Sequence, residues 1–588
     1  MIRVFYITAC AGLSSIVSAQ QNRGNESSSA NPFFTGGDAP IVDLGHAKYR
    51  GIRDELTQTS NYLGIPYIKA QRFDHGRLYN DPLDGIQSAM DYAPACPQHS
   101  LGSILTPSDP GLGFLTGLIE SIPPFQRLLR TSEDCLFINV QRPRDQTLRN
   151  LPVLAWIHGG GFEGGSANAI ISETTAIPGI FYQGANIVRK SIDMGRPIVF
   201  ASFNYRLAHF GFSASRELQE AGLLNLGFED QRLALKWIQK HIAAFGGDPS
   251  KVTIMGESAG SWSVAGHLVA GTSDGQGPPL FRGAVGMSGG LVKVDGPERQ
   301  QSTFDSLVDF VGCKSASDII ECLRSVPYES IHEHMQTVPA VFGFRSMATA
   351  WTLRPDGKFF PQSPHKCQVA NVPLLCGDVV DEGTLFALVN SLNLTSTALV
   401  KDYMKKFWWP HASSSELDRL LSLYPQDPTR GSPYGTGLLY SLPLQYKRLA
   451  SIIGDYTFQA QRRALLGKSN APKWNYLMET SIIPGSSLLG PIPLVGSFHG
   501  SDVLLHAFGN IPEGISQNTR HFMSALVSFV NDLNPNTNGA TDIPFWPEWS
   551  KSDEKTMRFR ETGNDIIRDD YRKEGMGYIN EIGDSLLV

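Results

Sequence analysis

Val252-Thr253-Ile254-Met255-Gly256-Glu257-Ser258-Ala259-Gly260-Ser261-Trp262-Ser263-Val264 is the stretch that decides how this chain folds. Its start, Val252 to Met255, reads as a strand, and Val264, His267 and Leu268 then recur at helical spacing. Between them Ser258 sits in Gly-x-Ser-x-Gly. A strand that turns sharply into a helix at a serine exposes its hydroxyl, and flanking glycines relieve the crowding of the turn. The pattern recurs at Gly271-Thr272-Ser273-Asp274-Gly275 and at Gly286-Met287-Ser288-Gly289-Gly290. The second copy lies in a turn-rich loop before Pro278-Pro279, and the third runs from a strand into a loop through Asp295-Gly296. Only Ser258 has a strand before it and a helix after it, so it is the candidate nucleophile.

Outward from this turn, Leu151–Ile157, Pro197–Phe203, Val372–Cys376 and Trp474–Met478 are short apolar runs. Near-continuous apolar runs are expected of strands covered on both faces. Asp230–Phe245 carries Leu233, Trp237, Ile238, Ile242 and Phe245 at helical spacing and stops at Gly246-Gly247-Asp248-Pro249. Strand, helix, strand is the unit of a parallel α/β sheet.

A serine hydroxyl is a poor nucleophile without a base, an orienting acid and donors for the developing oxyanion. Trp156-Ile157-His158-Gly159-Gly160-Gly161-Phe162 follows a strand, and its glycines let backbone N–H groups come close to a substrate. The expected donors are Gly160, Gly161 and Ala259. For a sheet of this kind the base follows the acid in the chain. His411, His499, His506 and His521 qualify, and His499 is favoured because it lies in a loop, Gly496-Ser497-Phe498-His499-Gly500, beyond the strand at Trp474. The acid belongs just past a strand, and position alone leaves Asp378, Asp381 and Glu382 open. His332-Glu333-His334 offers two metal-type ligands without a third, which reads as a solvated face, and no cofactor or metal is expected.

The 588 residues carry 50 Lys+Arg against 56 Asp+Glu, a net charge of −6, with 41% hydrophobic residues. That balance gives no basis for nucleic-acid binding and describes a globular chain. At roughly 150 residues per domain, length alone suggests about four domains. Residues 1–19 read as a secretory signal: Arg3, an apolar stretch Val4–Val17, and a small-residue site at Val17-Ser18-Ala19. Residues 20–40 read as a flexible segment, and no later apolar run is long enough to span a bilayer. The protein is therefore expected outside the cell, with acceptor triplets for glycosylation at Asn25 and Asn393. Six cysteines remain after the signal, none in a Cys-x-x-Cys, and spacing alone does not pair them.

These motifs together resemble the type-B carboxylesterase/lipase family, which includes cholinesterases and the fungal Candida and Geotrichum lipases. The likeness runs through Gly64-Ile65-Pro66-Tyr67, Glu133 to Val140, His158 to Phe162, Asn204-Tyr205-Arg206-Leu207, Phe245 to Pro249, Gly256 to Gly260, Asp381-Glu382-Gly383-Thr384 and Phe498-His499-Gly500. It implies one α/β-hydrolase domain over residues 41–588, with a mostly parallel central sheet and helices on both faces, in place of four domains. It implies Glu382 as the acid, and disulfides Cys96–Cys135 and Cys313–Cys322; Cys367 and Cys376 have no partner in the family pattern. The activity implied is hydrolysis of carboxylic esters through an acyl-enzyme. The sequence departs from the family at Ile68-Lys69-Ala70 and Ala208, neither a catalytic position. His158 replaces the tyrosine of cholinesterases, as in the fungal lipases.

Residues 97–134, inside the first disulfide, are rich in Leu, Ile and Phe. The matching loop of the fungal lipases is a flap, so hydrophobic esters and a transient lipid interface are expected as partners. The alternatives are a carboxylesterase for a specific small or secondary-metabolite ester and, more remotely, a non-catalytic adhesion protein on the same fold. The sequence does not speak to oligomeric state.

Overall fold

The computed structural model describes residues 39–99, 131–167, 184–272, 279–480, 495–509, 516–537, 539, 543–560 and 562–588. The expected signal, Asn25 and residues 100–130 of the expected flap lie outside the described residues.

The chain builds an eleven-stranded sheet. Its strands, in chain order, are β1 (Ile52–Asp54), β2 (Thr59–Pro66), β3 (Phe137–Pro143), β4 (Leu151–Ile157), β5 (Val199–Phe203), β6 (Gly247–Glu257), β7 (Gly283–Met287), β8 (Leu374–Val379), β9 (Lys473–Glu479), β10 (Lys555–Arg560) and β11 (Asp565–Arg568). In space they run β11-β10-β9-β8-β7-β6-β4-β5-β3-β2-β1. Every pairing from β5 across to β10 is parallel. The strands added at the two edges are antiparallel.

Strand β4 shows why the central runs are apolar throughout. Val153, Ala155 and Ile157 enter one core with Leu235, Trp237 and Ile238 of helix α1 (Leu226–His241). Leu154 and Trp156, pointing the other way, enter a second core with Phe522, Leu526 and Phe529 of a helix at Gln517–Asp532. Both faces of the sheet are thus covered, and alternation has no polar phase to display. The helix expected at Asp230–Phe245 begins four residues earlier, at Leu226, and its last turn, Ile242–Phe245, is a 3-10 turn closed by Gly246 in the left-handed region.

Cys96 bonds Cys135 and Cys313 bonds Cys322, while Cys367 and Cys376 are buried free thiols. Among the described residues no helix is long and apolar enough to cross a membrane.

Candidate active site

Strand β6 ends at Glu257 and helix α2 (Ala259–Ala270) begins two residues later, so Ser258 is the whole turn. Its backbone sits at φ 58°, ψ −123°, a strained conformation for a residue with a side chain. Two backbone bonds hold it there: Ser258 N–H donates to Met287 O at 3.0 Å, and its carbonyl accepts from Trp262 N–H at 3.0 Å. The turn also demands a bare backbone beyond it. A Cβ on Gly260 would lie 2.1 Å from the carbonyl oxygen of Ile157. Of the other two Gly-x-Ser-x-Gly copies, Ser273 lies outside the described residues, and Ser288 follows β7 without a helix behind it.

The glycine loop after β4 lies against this turn, where a Cβ on Gly159 would come within 2.9 Å of Ser258 Cβ. Gly160 has φ 104° and carries the tight turn that follows: its carbonyl accepts from the N–H groups of Glu163 and Gly164, both at 3.0 Å. Among the described residues the N–H groups of Gly160 and Gly161 have no acceptor. Ala259 is the first residue of α2, so its N–H has none within the helix.

The three candidate acids have three different employments. Asp378, in β8, pairs with the buried guanidinium of Arg462. Asp381 Oδ1 accepts from Ser432 Oγ (2.7 Å) and Tyr434 N–H (2.9 Å), and its Oδ2 accepts from Ser497 N–H (3.1 Å). Asp381 also bridges Phe498 in β fashion, so it fastens the loop that carries His499. Glu382 Oε2 accepts from His499 Nδ1 at 2.6 Å, while its Oε1 accepts from Val379 N–H at 2.8 Å. The Ser288 hydroxyl faces the same carboxyl without a well-aligned hydrogen bond.

The other histidines are employed elsewhere. His411 pairs with Asp295, His506 bonds Thr480 and Thr519, and His521 bonds Asn564. His334, expected on a solvated face, is instead buried. The helix Tyr328–Thr337 turns it onto His209, with Nδ1 3.0 Å from His209 Nε2, while His332 stays at the periphery.

The imidazole of His499 is stacked on Phe458 (centroids 4.2 Å apart) with Phe386 at 5.2 Å. Burial holds its pKa below the usual 6.5, with Glu257 and Asp502 pulling the other way. Burial likewise lifts the Glu382 carboxyl. Nε2, the nitrogen that faces away from Glu382, makes no hydrogen bond, and it lies 3.2 Å from Glu257 Oε1. Long or poorly aligned bonds at such a nitrogen are usual before substrate is bound.

Two carboxyls beside this arrangement escaped the sequence reading. Glu257 occupies a variable position of the motif, yet it is buried at the end of β6, and desolvation lifts its pKa to about 8. Glu163, just past the glycines, is buried completely and lifted to about 8 by desolvation, although Val341 N–H donates to it at 3.0 Å. A charged residue inside an otherwise apolar or glycine-rich stretch is the only signal that marks either one. Among the described residues no cluster of His, Cys, Asp and Glu is arranged to hold a metal.

Known proteins share this architecture. The profile of the carboxylesterase family matches residues 38–578. The chain is 36% identical over 562 residues to "Secreted lipase 1" of Botryotinia fuckeliana, covering 92% of each chain. It is 36% identical over 553 residues to "Secreted triacylglycerol lipase LIP1" of Gibberella zeae, covering 90% of this chain and 88% of that one. Among solved structures, Aspergillus niger EstA superposes with a TM-score of 0.73 at 27% identity, covering 94% of this chain and 99% of the other.

Proposed function

We propose, from the premise that this chain belongs to the carboxylesterase family and is a carboxylic ester hydrolase, that Ser258, His499 and Glu382 are its catalytic triad and that it acts on hydrophobic esters outside the cell. The observation that carries the triad is the 2.6 Å bond from His499 Nδ1 to Glu382, with His499 Nε2 3.2 Å from Glu257, the residue before the strained turn at Ser258. His499 takes the Ser258 proton at Nε2 as Oγ bonds to the ester carbonyl carbon. Glu382 fixes the tautomer and stabilises the imidazolium that forms. The carbonyl oxygen, now an oxyanion, accepts from the N–H groups of Gly160, Gly161 and Ala259. Losing one such donor typically costs on the order of 10²–10³ in rate. The imidazolium then protonates the departing alkoxide and the C–O bond breaks, leaving an ester on Ser258. Water, deprotonated by His499, releases the acid by the same steps.

The choice of hydrophobic esters rests on a loop beside the site. Residues 431–446 contain no charged side chain. Leu438, Leu439, Leu442 and Leu444 are 56–74% exposed there. The loop is anchored from below by Lys447 Nζ, which donates to Thr436 Oγ1 and Gly437 O, and at its start by Asp381. Its leucines therefore face water although its backbone is fixed, which suits contact with an apolar substrate phase. The names of the Botryotinia and Gibberella relatives agree with a secreted lipase. Two disulfides fit an oxidising compartment. Asn393, exposed in a turn, is available for a glycan.

The test compares emulsified triglyceride with soluble p-nitrophenyl butyrate. Ser258→Ala is expected to abolish turnover of both. Leu438→Ser with Leu442→Ser is expected to lower turnover of the emulsion about tenfold, since burying one leucine is worth roughly 1.5–3 kcal/mol, and to leave butyrate hydrolysis unchanged. Equal rates on the emulsion, or better turnover of acetate than of long acyl chains, would leave a plain carboxylesterase for small esters.

A further inference from the structure

Gly160, Gly161 and Phe162 follow one another with φ of 104°, 64° and 60°, so three successive residues occupy the left-handed region. A run of this kind persists only where the surrounding structure leaves it no alternative. Phe162 is held by its own side chain: it is fully buried, its ring centre lies 4.3 Å from that of Phe212, and its carbonyl accepts from Ala208 N–H at 2.8 Å. Gly161 has no side chain to be held by, and a glycine is free to leave φ 64° for other wells. What stands at the place of its missing Cβ is Val341, whose Cβ and methyl carbons lie 3.6–3.7 Å from that point.

Val341 belongs to an irregular segment after the helix Tyr328–Thr337, and among the described residues its N–H has no backbone acceptor. Its acceptor is Oε2 of Glu163, at 3.0 Å. Glu163 is also the residue that closes the glycine turn, since its N–H donates to Gly160 O at 3.0 Å. Its carbonyl accepts from His99 N–H at 2.8 Å, and His99 Nε2 lies 2.8 Å from Val338 O. Side chain and main chain of Glu163 thus both tie the turn to the segment from Val338 to Val341. The arrangement costs stability, because the carboxyl is fully buried and its Oε1 has no hydrogen-bond partner. An apolar side chain would fill the same space without that penalty, so packing alone does not account for a carboxyl here.

We propose that Glu163 is a positioning residue for ester hydrolysis: by holding Val341 against Gly161 it keeps the N–H groups of Gly160 and Gly161 aimed at the oxyanion. This rests on the reading of those two N–H groups as oxyanion donors. Glu163 touches no reacting atom and acts through Val341. Donors that stabilise a developing charge must be in place before the reaction, and a misplacement of about 1 Å typically costs on the order of 10² in rate. The loss falls on the transition state, because the substrate's carbonyl has not yet become an oxyanion when it binds. Burial lifts the carboxyl to about 8, so at pH 7 it is the neutral form, which an amide imitates in shape and in its acceptor oxygen.

The test measures kcat and KM for p-nitrophenyl butyrate at pH 7, together with amide hydrogen exchange of residues 158–165 in the full chain. Glu163→Met keeps the length of the side chain and removes the acceptor. It is expected to lower kcat on the order of 10², to leave KM within about twofold, and to speed exchange in the glycine turn. Glu163→Gln, which can still accept from Val341, is expected to restore kcat to within about threefold of the parent and to exchange like it. Val341→Ala keeps the bond to Glu163 but withdraws the methyl groups from Gly161, and is expected to lower kcat about tenfold, again without a change in KM. This variant carries the test if Glu163→Met does not fold. Unchanged exchange with unchanged kcat in Glu163→Met and Val341→Ala would overturn the proposal, as would a loss confined to KM or a Gln variant as damaged as the Met variant. Faster exchange with kcat unchanged would instead show that Glu163 holds the turn and would overturn the reading of Gly160 and Gly161 as donors.

Discussion

Glu382→Gln and Asp381→Asn alter adjacent carboxylates, and the structure gives them opposite consequences. In Glu382→Gln the amide oxygen can keep the bond from Val379 N–H, so the β8 turn stays satisfied. The amide NH₂ then faces His499 Nδ1, a donor against a donor. The imidazole relieves the clash by moving its proton to Nε2, the nitrogen that must accept from Ser258. An error of tautomer of this kind costs roughly 10⁴ in kcat, about 5.5 kcal/mol of barrier, with the fold unchanged. In Asp381→Asn the retained oxygen can still serve Ser432 and Tyr434, but the NH₂ meets Ser497 N–H. One charge-assisted bond is lost at a buried site, about 1–3 kcal/mol, and the damage falls on the loop and not on the proton transfer. The assay pairs differential scanning calorimetry with kcat/KM for p-nitrophenyl butyrate. Glu382→Gln is expected to melt with the parent and to lose about four decades of rate; Asp381→Asn is expected to melt a few degrees lower and to lose less than tenfold. If Asp381→Asn kept its melting point and lost the activity while Glu382→Gln stayed active, the assignment of both residues would be refuted.

Three further outcomes follow from the same groups. Burial holds His499 below 6.5, so the neutral base persists into mild acid; the acid limb of kcat/KM is expected to be centred below pH 6.5, and a limb above pH 7 would contradict it. Glu163 is lifted from 4.5 to about 8, so the folded state keeps a proton that the unfolded state gives up. That contribution to stability is complete below pH 4.5 and is lost as pH rises towards 8, at about 1.4 kcal/mol per unit. Glu163→Gln is expected to raise the urea midpoint at pH 8 relative to its parent and to leave it nearly unchanged at pH 4.5. Ser288→Ala is expected to slow butyrate hydrolysis by less than tenfold, because the hydroxyl faces Glu382 but is not its main partner; labelling of Ser288 by an organophosphate would displace Ser258 as nucleophile.

What the sequence made legible was local. The turn at Ser258 needs a strand, a serine between glycines and a helix, all within the stretch from Val252 to Leu268, and periodicity reports such features directly. The choice among Asp378, Asp381 and Glu382 was open from position because it is decided by partners far along the chain: Arg462, Ser497 and His499. Only the likeness to a family singled out Glu382. The apolar run Val372–Cys376 starts two residues before strand β8 and stops short of its end, because the strand continues through the charged Asp378. Its pairing with Arg462 is what allows a carboxylate to be buried there. His334 was misread for the same reason. The polar neighbours on its helix suggested water, but its burial is set by His209, which lies 125 residues away. The edge strands β1, β2, β10 and β11 carry polar residues and left no apolar run to see.

The long separation between the parts of the proposed triad has a consequence for biosynthesis. Glu382 and His499 are 117 residues apart, and Ser258 precedes both. The glycine loop and the serine turn are therefore complete on a nascent chain that has neither acid nor base. Strands β8 and β9 must enter the sheet, and Asp381 must bridge Phe498, before His499 reaches the serine. Chains grow from the N-terminus at about 5–20 residues per second, so the proposed nucleophile waits on the order of ten seconds or more for its proposed base. A product stalled before His499 lacks the proposed base, so it exposes no competent esterase to the lipids of the cell that makes it.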